Sequence, residues 1–90
     1  MSHLTKSFEI INEKGLHVRA ATVLAQLAGG FSSHVVLEHA GERANAKSVM
    51  NLLLLTAPMG ATVTVIIDGD DAADAMDAVE ALITNGFGET

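Results

Sequence analysis

The chain lacks several residue types that stabilise or activate small proteins. It has no cysteine, no tryptophan, no tyrosine and only one proline in 90 residues. The absence of cysteine excludes disulfide bonds and a thiol nucleophile. Aromatic residues make up 3% of the chain against 49% hydrophobic residues, so the core must consist mainly of aliphatic side chains. This length is typical of one domain, and we assign residues 1–90 to a single domain.

Positive charge is also scarce. Five Lys and Arg stand against eleven Asp and Glu, the net charge is −6, and no basic run is present. This balance disfavours binding to nucleic acid or to an anionic membrane surface. No apolar run approaches the ~20 residues that span a bilayer, and residues 1–6 lack the apolar core of a signal peptide. We therefore expect a soluble, cytoplasmic protein.

Hydrophobic periodicity and glycines divide the chain into alternating strands and helices. Strict alternation predicts a strand over residues 61–68, with Val63, Val65 and Ile67 inward. Apolar residues at helical spacing predict a last helix over residues 71–84, whose Asp71, Asp74, Asp77 and Glu80 form a solvated face. The remaining patterns predict strands over residues 6–12, 34–39 and 43–44 and helices over residues 18–28 and 48–55. The order β-α-β-β-α-β-α predicts an α+β fold, with helices layered on an antiparallel sheet.

The first candidate for chemistry is His17, which follows Gly15 and directly precedes the first predicted helix. A helix N-terminus presents unpaired backbone N–H groups and a partial positive charge, and it is therefore a natural anion site. A histidine there can accept a phosphoryl group on a ring nitrogen, with the backbone of Val18 and Arg19 and the Arg19 guanidinium holding the phosphate. Spacing alone also fits a histidine that only caps the helix or lies on the surface.

The second predicted helix carries two further candidates. Ser48 precedes it and is a suitable N-cap, so it is either an ordinary capping serine or a phosphorylation site. Val49, Met50, Leu53 and Leu54 cannot all be buried by so short a helix. Those that are exposed would form a partner site, whereas the others would cover the core.

No set of residues has the spacing of metal ligands. His34 and His39 lie five positions apart on one predicted strand, so their side chains point to opposite faces of the sheet. His3 lies in a terminus that we expect to fray. We therefore expect no metal and no cofactor.

Two segments resemble a known family. Gly-Leu-His-Val-Arg-Ala-Ala at residues 15–21 resembles the motif Gly-Leu-His-Ala-Arg-Pro-Ala of HPr, the histidine-containing phosphocarrier of the phosphoenolpyruvate-dependent phosphotransferase system. Ala-Lys-Ser-Val-Met at residues 46–50 resembles the signature around the family's regulatory serine. The resemblance extends from about Lys6 to Phe87, and the ending Asn-Gly-Phe at residues 85–87 is similar to the nitrogen-related branch, NPr. It implies an open-faced β-sandwich, in which three helices cover one face of a four-stranded antiparallel sheet.

The resemblance also implies roles for individual residues. Enzyme I would phosphorylate His17 on Nδ1, Arg19 would steady the phosphoryl group, and phospho-His17 would pass it to an enzyme IIA domain. The protein would then be a monomeric carrier with a phosphohistidine intermediate and no turnover of its own. Ser48 leaves control by an HPr kinase/phosphorylase open. The implied partner contacts are Leu16, Ala20, Lys47, Val49, Met50 and Leu53.

The chain departs from the family pattern near His17. Ala20 replaces the usual proline, which leaves the start of the helix less restricted, and Val18 is bulkier than the common alanine. Gln26 and Gly29 stand where many relatives are basic, which favours a regulatory role over sugar uptake. One alternative is a regulatory protein of the same fold that acts through contacts and Ser48 phosphorylation. Another is a small-ligand-binding α+β domain with its anion site at Val18.

Overall fold

The computed structural model describes residues 2–89 and has the element order predicted from the sequence. Met1 and Thr90, which the assigned domain includes, lie outside the described residues. Most differences from the predicted elements are at their ends. The strands are β1 (Ser2–Glu9), β2 (His34–His39), β3 (Glu42–Asn45) and β4 (Thr62–Gly69), and the helices are α1 (Val18–Gly29), α2 (Val49–Leu53) and α3 (Ala72–Thr84), followed by a 3-10 turn at Gly86–Gly88.

The strands form an antiparallel sheet in the order β1-β4-β2-β3. Lys6 and Leu37 both pair with Val65 of β4, which therefore lies inside the sheet. The alternate residues Val63, Val65 and Ile67 are fully buried, as predicted, and pack in one core with apolar residues of the three helices. This arrangement confirms the open-faced β-sandwich.

The first strand begins earlier in the chain than the predicted start at residue 6. β1 begins at Ser2 because it pairs with β4 along its full length, from Ser2 opposite Gly69 to Glu9 opposite Thr62. His3 is therefore part of the sheet, and the prediction that its segment frays is wrong. Ile10 is outside the strand because its N–H and C=O groups form hydrogen bonds with the loop before β4. Its side chain is nevertheless fully buried.

The solvated face predicted for α3 has an exception at its beginning. The Asp71 carboxylate accepts hydrogen bonds from the backbone N–H of Ser32 at 2.8 Å and of Ser33 at 2.9 Å. Asp74 and Asp77 are exposed as predicted. Asp71 thus joins the start of α3 to the loop between α1 and β2. No helix within residues 2–89 combines the length and apolarity needed to cross a bilayer.

Candidate active site

A tight turn before α1 sets the position of His17. Gly15 has φ +64°, and a Cβ atom there would lie 2.5 Å from the carbonyl oxygen of Ala57. Only glycine therefore fits this approach without displacing the backbone. The next residue, Leu16, is buried and donates its N–H to the same Ala57 oxygen at 2.9 Å. The chain is thus held against the loop before β4 directly before it reaches His17.

His17 is the N-cap of α1. Its backbone is extended, with φ −87° and ψ −176°, and its Nδ1 accepts the backbone N–H of Arg19 at 3.3 Å. An Nδ1 that accepts this hydrogen bond carries a lone pair, and the single proton of a neutral ring then lies on Nε2. The N–H group of Val18, a residue that is exposed at the helix end, has no hydrogen-bond partner among residues 2–89. His17 therefore caps the helix, and a backbone N–H group of the helix end stays free.

The departures from the family pattern do not displace this helix start. α1 begins at Val18 although Ala20 is not proline, because Ala20 is fully buried in the first turn and fixes the helix by packing. Val18 is 61% exposed. The exposed Arg19 side chain makes no hydrogen bond or ion pair with the described part of the chain. Its guanidinium is therefore available to an anion at the helix end.

Two residues of the site were missed from the sequence, Asn12 and Glu89. One carboxylate oxygen of Glu89 contacts Nε2 of His17, and the other accepts the side-chain N–H of Asn12 at 2.9 Å. The buried Asn12 amide also donates to the carbonyl oxygen of Gly15 at 2.8 Å. The Asn12 hydrogen bond, followed by that of His17, holds the pKa of Glu89 below its usual value, and Glu89 is therefore ionised at neutral pH. Glu89 and His17 are 72 residues apart, so no local pattern indicates this contact.

The helix cap predicted at Ser48 is present at the start of α2. The Ser48 side chain caps the helix by accepting the N–H of Asn51 at 3.2 Å. Lys47 is exposed, and its ammonium group donates to the carbonyl oxygen of Phe31 at 2.8 Å. The lysine thereby ties the start of α2 to the loop between α1 and β2.

Apolar side chains are exposed on α2. Met50 is 75% exposed and Leu54 is 78% exposed, whereas Val49 and Leu53 are half-buried against the core. The predicted division of these residues into an exposed set and a set that covers the core is therefore confirmed. We call the exposed large apolar side chains the apolar surface; they are Met50 on α2, Leu54 directly after it, and Ile11, Val18 and Met59.

Two of the predicted partner contacts do not belong to this surface. Leu16 and Ala20 are buried, because they lie on the side of the chain that packs into the core. The residues that the structure places instead around His17 are Ile11, Val18 and Met59, which line a shallow depression with the histidine ring. Within residues 2–89, no three side chains of His, Asp or Glu are arranged to hold a metal ion.

Known proteins are similar to this chain in both sequence and fold. Residues 4–85 match the family described as PTS HPr component phosphorylation site. The chain is 49% identical over 86 residues to phosphocarrier protein HPr of Cupriavidus necator, a match covering 96% of this chain and 97% of that protein. It is 42% identical over 89 residues to phosphocarrier protein NPr of Shewanella violacea, covering 99% and 98%. The crystal structure of HPr-C-His from Thermoanaerobacter tengcongensis superimposes with a TM-score of 0.90 at 38% identity, covering 100% of this chain and 99% of that one. The chain therefore belongs to the HPr family of phosphocarrier proteins of the phosphotransferase system.

Proposed function

We propose that this protein accepts a phosphoryl group on Nδ1 of His17 from phospho-enzyme I and passes it to an enzyme IIA domain. The observation that carries the proposal is the position of Nδ1 at the start of α1. Nδ1 holds a lone pair there, and the backbone N–H groups of Val18 and Arg19 lie at the same helix end. These donors and the positive end of the helix favour the negative charge of a phosphoryl group.

The transfer exchanges one N–P bond for another. The Nδ1 lone pair of His17 forms the new bond to phosphorus. At the same time the bond from phosphorus to the histidine ring of the donor, phospho-enzyme I, breaks, and the electron pair of that bond returns to the donor ring. The N–H of Arg19 now donates to Nδ1. Once Nδ1 is bonded to phosphorus, that N–H is free to donate to a phosphoryl oxygen, as is the Arg19 guanidinium. Catalysis then depends mainly on positioning and charge stabilisation, which is typical of phosphoryl transfer.

The apolar surface gives the proposed donor and acceptor a place to dock. Met50, Leu54 and Val18 are exposed large side chains on a small protein. Such a patch is typical of a protein contact site. Val18 lines the same depression as His17, so a partner that contacts Val18 would hold its reacting group beside the histidine.

The experiment is phosphorylation by enzyme I with labelled phosphoenolpyruvate, followed by chase to an enzyme IIA domain. Wild type should take up acid-labile phosphate, and His17→Ala should take up none. His34→Ala is the matched control, because His34 is exposed on β2 outside the site. Uptake by His17→Ala, or no uptake by wild type, would refute the carrier function. Either result would favour a regulatory protein that acts through contacts and Ser48 phosphorylation.

We further propose a regulatory, nitrogen-type role for the transfer. α1 carries Arg19 as its sole charged side chain, so a partner that docks on this helix gains little from charge attraction. The test offers phosphorylated protein to a nitrogen-type and to a sugar-type enzyme IIA of the same organism. Faster transfer to the nitrogen-type domain is expected, and faster transfer to the sugar-type domain would contradict the assignment.

A further inference from the structure

The contact between Glu89 and His17 depends on an unusual backbone turn. After α3, the residues Gly86, Phe87 and Gly88 have φ values of +62°, +59° and +78°, so the chain takes a left-handed turn that leads back toward α1. The N–H groups of Gly88 and Glu89 close this turn onto Asn85 and Gly86, each at 3.1 Å. We call residues 85–89 the C-terminal turn.

Phe87 shows that the turn is held in place by packing. A non-glycine residue at positive φ is strained, and it persists only where its surroundings enforce it. The Phe87 side chain is 4% exposed and belongs to the core, so its burial supplies that constraint. The half-buried Glu89 carboxylate is therefore delivered to the histidine by a fixed segment.

We propose that Glu89 is a positioning residue for phosphoryl transfer by His17, a role that rests on the proposed function. Glu89 accepts a hydrogen bond from the Nε2–H group and thereby keeps the Nδ1 lone pair directed at the end of α1. The Asn12 amide fixes the other carboxylate oxygen. The arrangement follows the same logic as a carboxylate that orients the imidazole of a hydrolase triad.

The charge of Glu89 also matches the charge that develops in the reaction. When the neutral ring forms a bond from Nδ1 to phosphorus and retains its Nε2 proton, the ring becomes formally cationic. The Glu89 carboxylate lies at that proton and stabilises the cation. A cationic ring is also the better leaving group for onward transfer, in which the N–P bond breaks and its electron pair returns to Nδ1.

The other charged groups that line the depression do not duplicate this role. Lys14 and Arg19 are cationic and would oppose a positive ring. Glu13 is exposed, and its side chain forms no hydrogen bond or ion pair with the described residues. Glu89 is thus the carboxylate that contacts the ring.

The test compares Glu89→Ala and Glu89→Gln with the control Glu13→Ala, which removes the same charge from the edge of the site. Nitrogen-15 NMR of the unphosphorylated protein reads the His17 tautomer without any partner. Wild type and Glu13→Ala should carry the proton on Nε2. Glu89→Gln should do the same, because the glutamine oxygen still accepts a hydrogen bond from Nε2–H. Glu89→Ala should populate both tautomers. Thermal unfolding verifies that every variant is folded.

The rates of phosphoryl transfer from enzyme I then separate the effect of ring orientation from the effect of the Glu89 charge. We expect Glu89→Ala to slow transfer by about tenfold to a hundredfold, the range typical for carboxylates that orient a metal-binding imidazole through its other ring N–H. Glu89→Gln should restore the tautomer and only part of the rate, whereas Glu13→Ala, which removes a charge that does not contact the ring, should slow transfer less than Glu89→Ala. A wild-type tautomer and rate in Glu89→Ala would overturn the inference. Failure of wild type to accept phosphate would refute the proposed function instead, while the NMR spectra would still decide whether Glu89 orients the ring.

Discussion

The carboxylate of Asp71 accepts both the backbone N–H and the hydroxyl group of Ser33. The N–H of Ser32 completes the set at 2.8 Å, so one side chain closes the loop between α1 and β2. These hydrogen bonds, with that of the Ser33 hydroxyl the largest contribution, lower the pKa of Asp71 to about 2. Asp71 is therefore a structural residue, although its helix otherwise presents acids to solvent.

Asp71→Asn should destabilise the protein in a pH-dependent way. A carboxyl group whose pKa falls on folding from 3.8 to about 2 stabilises the folded state above pH 4, and the contribution is lost as the pH falls toward 2. We expect the variant to melt several degrees below wild type at pH 7 and to approach wild type near pH 2. Thermal unfolding followed by circular dichroism measures both. Asp74→Asn, at an exposed position of α3, should melt like wild type at pH 7.

Gly15→Ala should destabilise the turn that positions His17. The new Cβ would lie 2.5 Å from the Ala57 oxygen, and the alanine backbone would have to adopt a φ of +64°. We expect a loss of about 2–4 kcal/mol in the free energy of unfolding, measured in urea. The control Gly60→Ala has a similar φ of +88° but open space around the new Cβ. It should lose about 1–2 kcal/mol, and equal losses would show that the contact with Ala57 is unimportant.

The elements that were predicted correctly are those whose pattern is local. β4 alternates Val63, Val65 and Ile67 with polar residues, and no other element is needed to recognise it. The start of β1 could not be found in this way, because it is fixed by pairing with β4 more than fifty positions away. The helix start at His17 was likewise readable from the chain around it.

The site was predicted in part for the same reason. His17 and Arg19 are adjacent in one motif, whereas Asn12 and Glu89 join them through tertiary contacts. Leu16 and Ala20 were assigned to a partner surface by resemblance. The helical spacing already places Ala20 on the same face as the buried Leu24, and that local signal proved to be the better guide.

Two leucines of one stretch should separate stability from partner contact. Leu52 is fully buried, so Leu52→Ala should lower the free energy of unfolding by about 2–5 kcal/mol. Leu54 is 78% exposed, so Leu54→Ala should change stability by no more than about 0.5 kcal/mol. Leu54→Ala should nevertheless raise the KM of enzyme I for this protein. An unchanged KM would exclude Leu54 from the contact.

Arg19→Lys should impair phosphoryl transfer although the charge is retained. The guanidinium can donate two parallel hydrogen bonds to one phosphoryl group, which the compact ammonium group of lysine cannot reproduce. We expect uptake of phosphate from enzyme I to slow by about tenfold, equivalent to one strong hydrogen bond. Stability should not change, because the side chain makes no hydrogen bond or ion pair within residues 2–89. Equal rates would assign phosphate binding to the helix end alone.

Ser48→Asp should slow the phosphorylation of His17 without unfolding α2. Aspartate caps a helix about as well as serine, so stability should stay within about 0.5 kcal/mol of wild type. The added charge lies next to Val49 and Met50, where an apolar partner surface would have to desolvate it. We expect the rate with enzyme I to fall by about tenfold at low salt. Ser48→Asn provides the matched control, since asparagine caps the helix without charge and should leave the rate near that of wild type. If both variants slow the reaction equally, the effect arises from the shape of the cap, and if neither does, enzyme I does not dock beside Ser48.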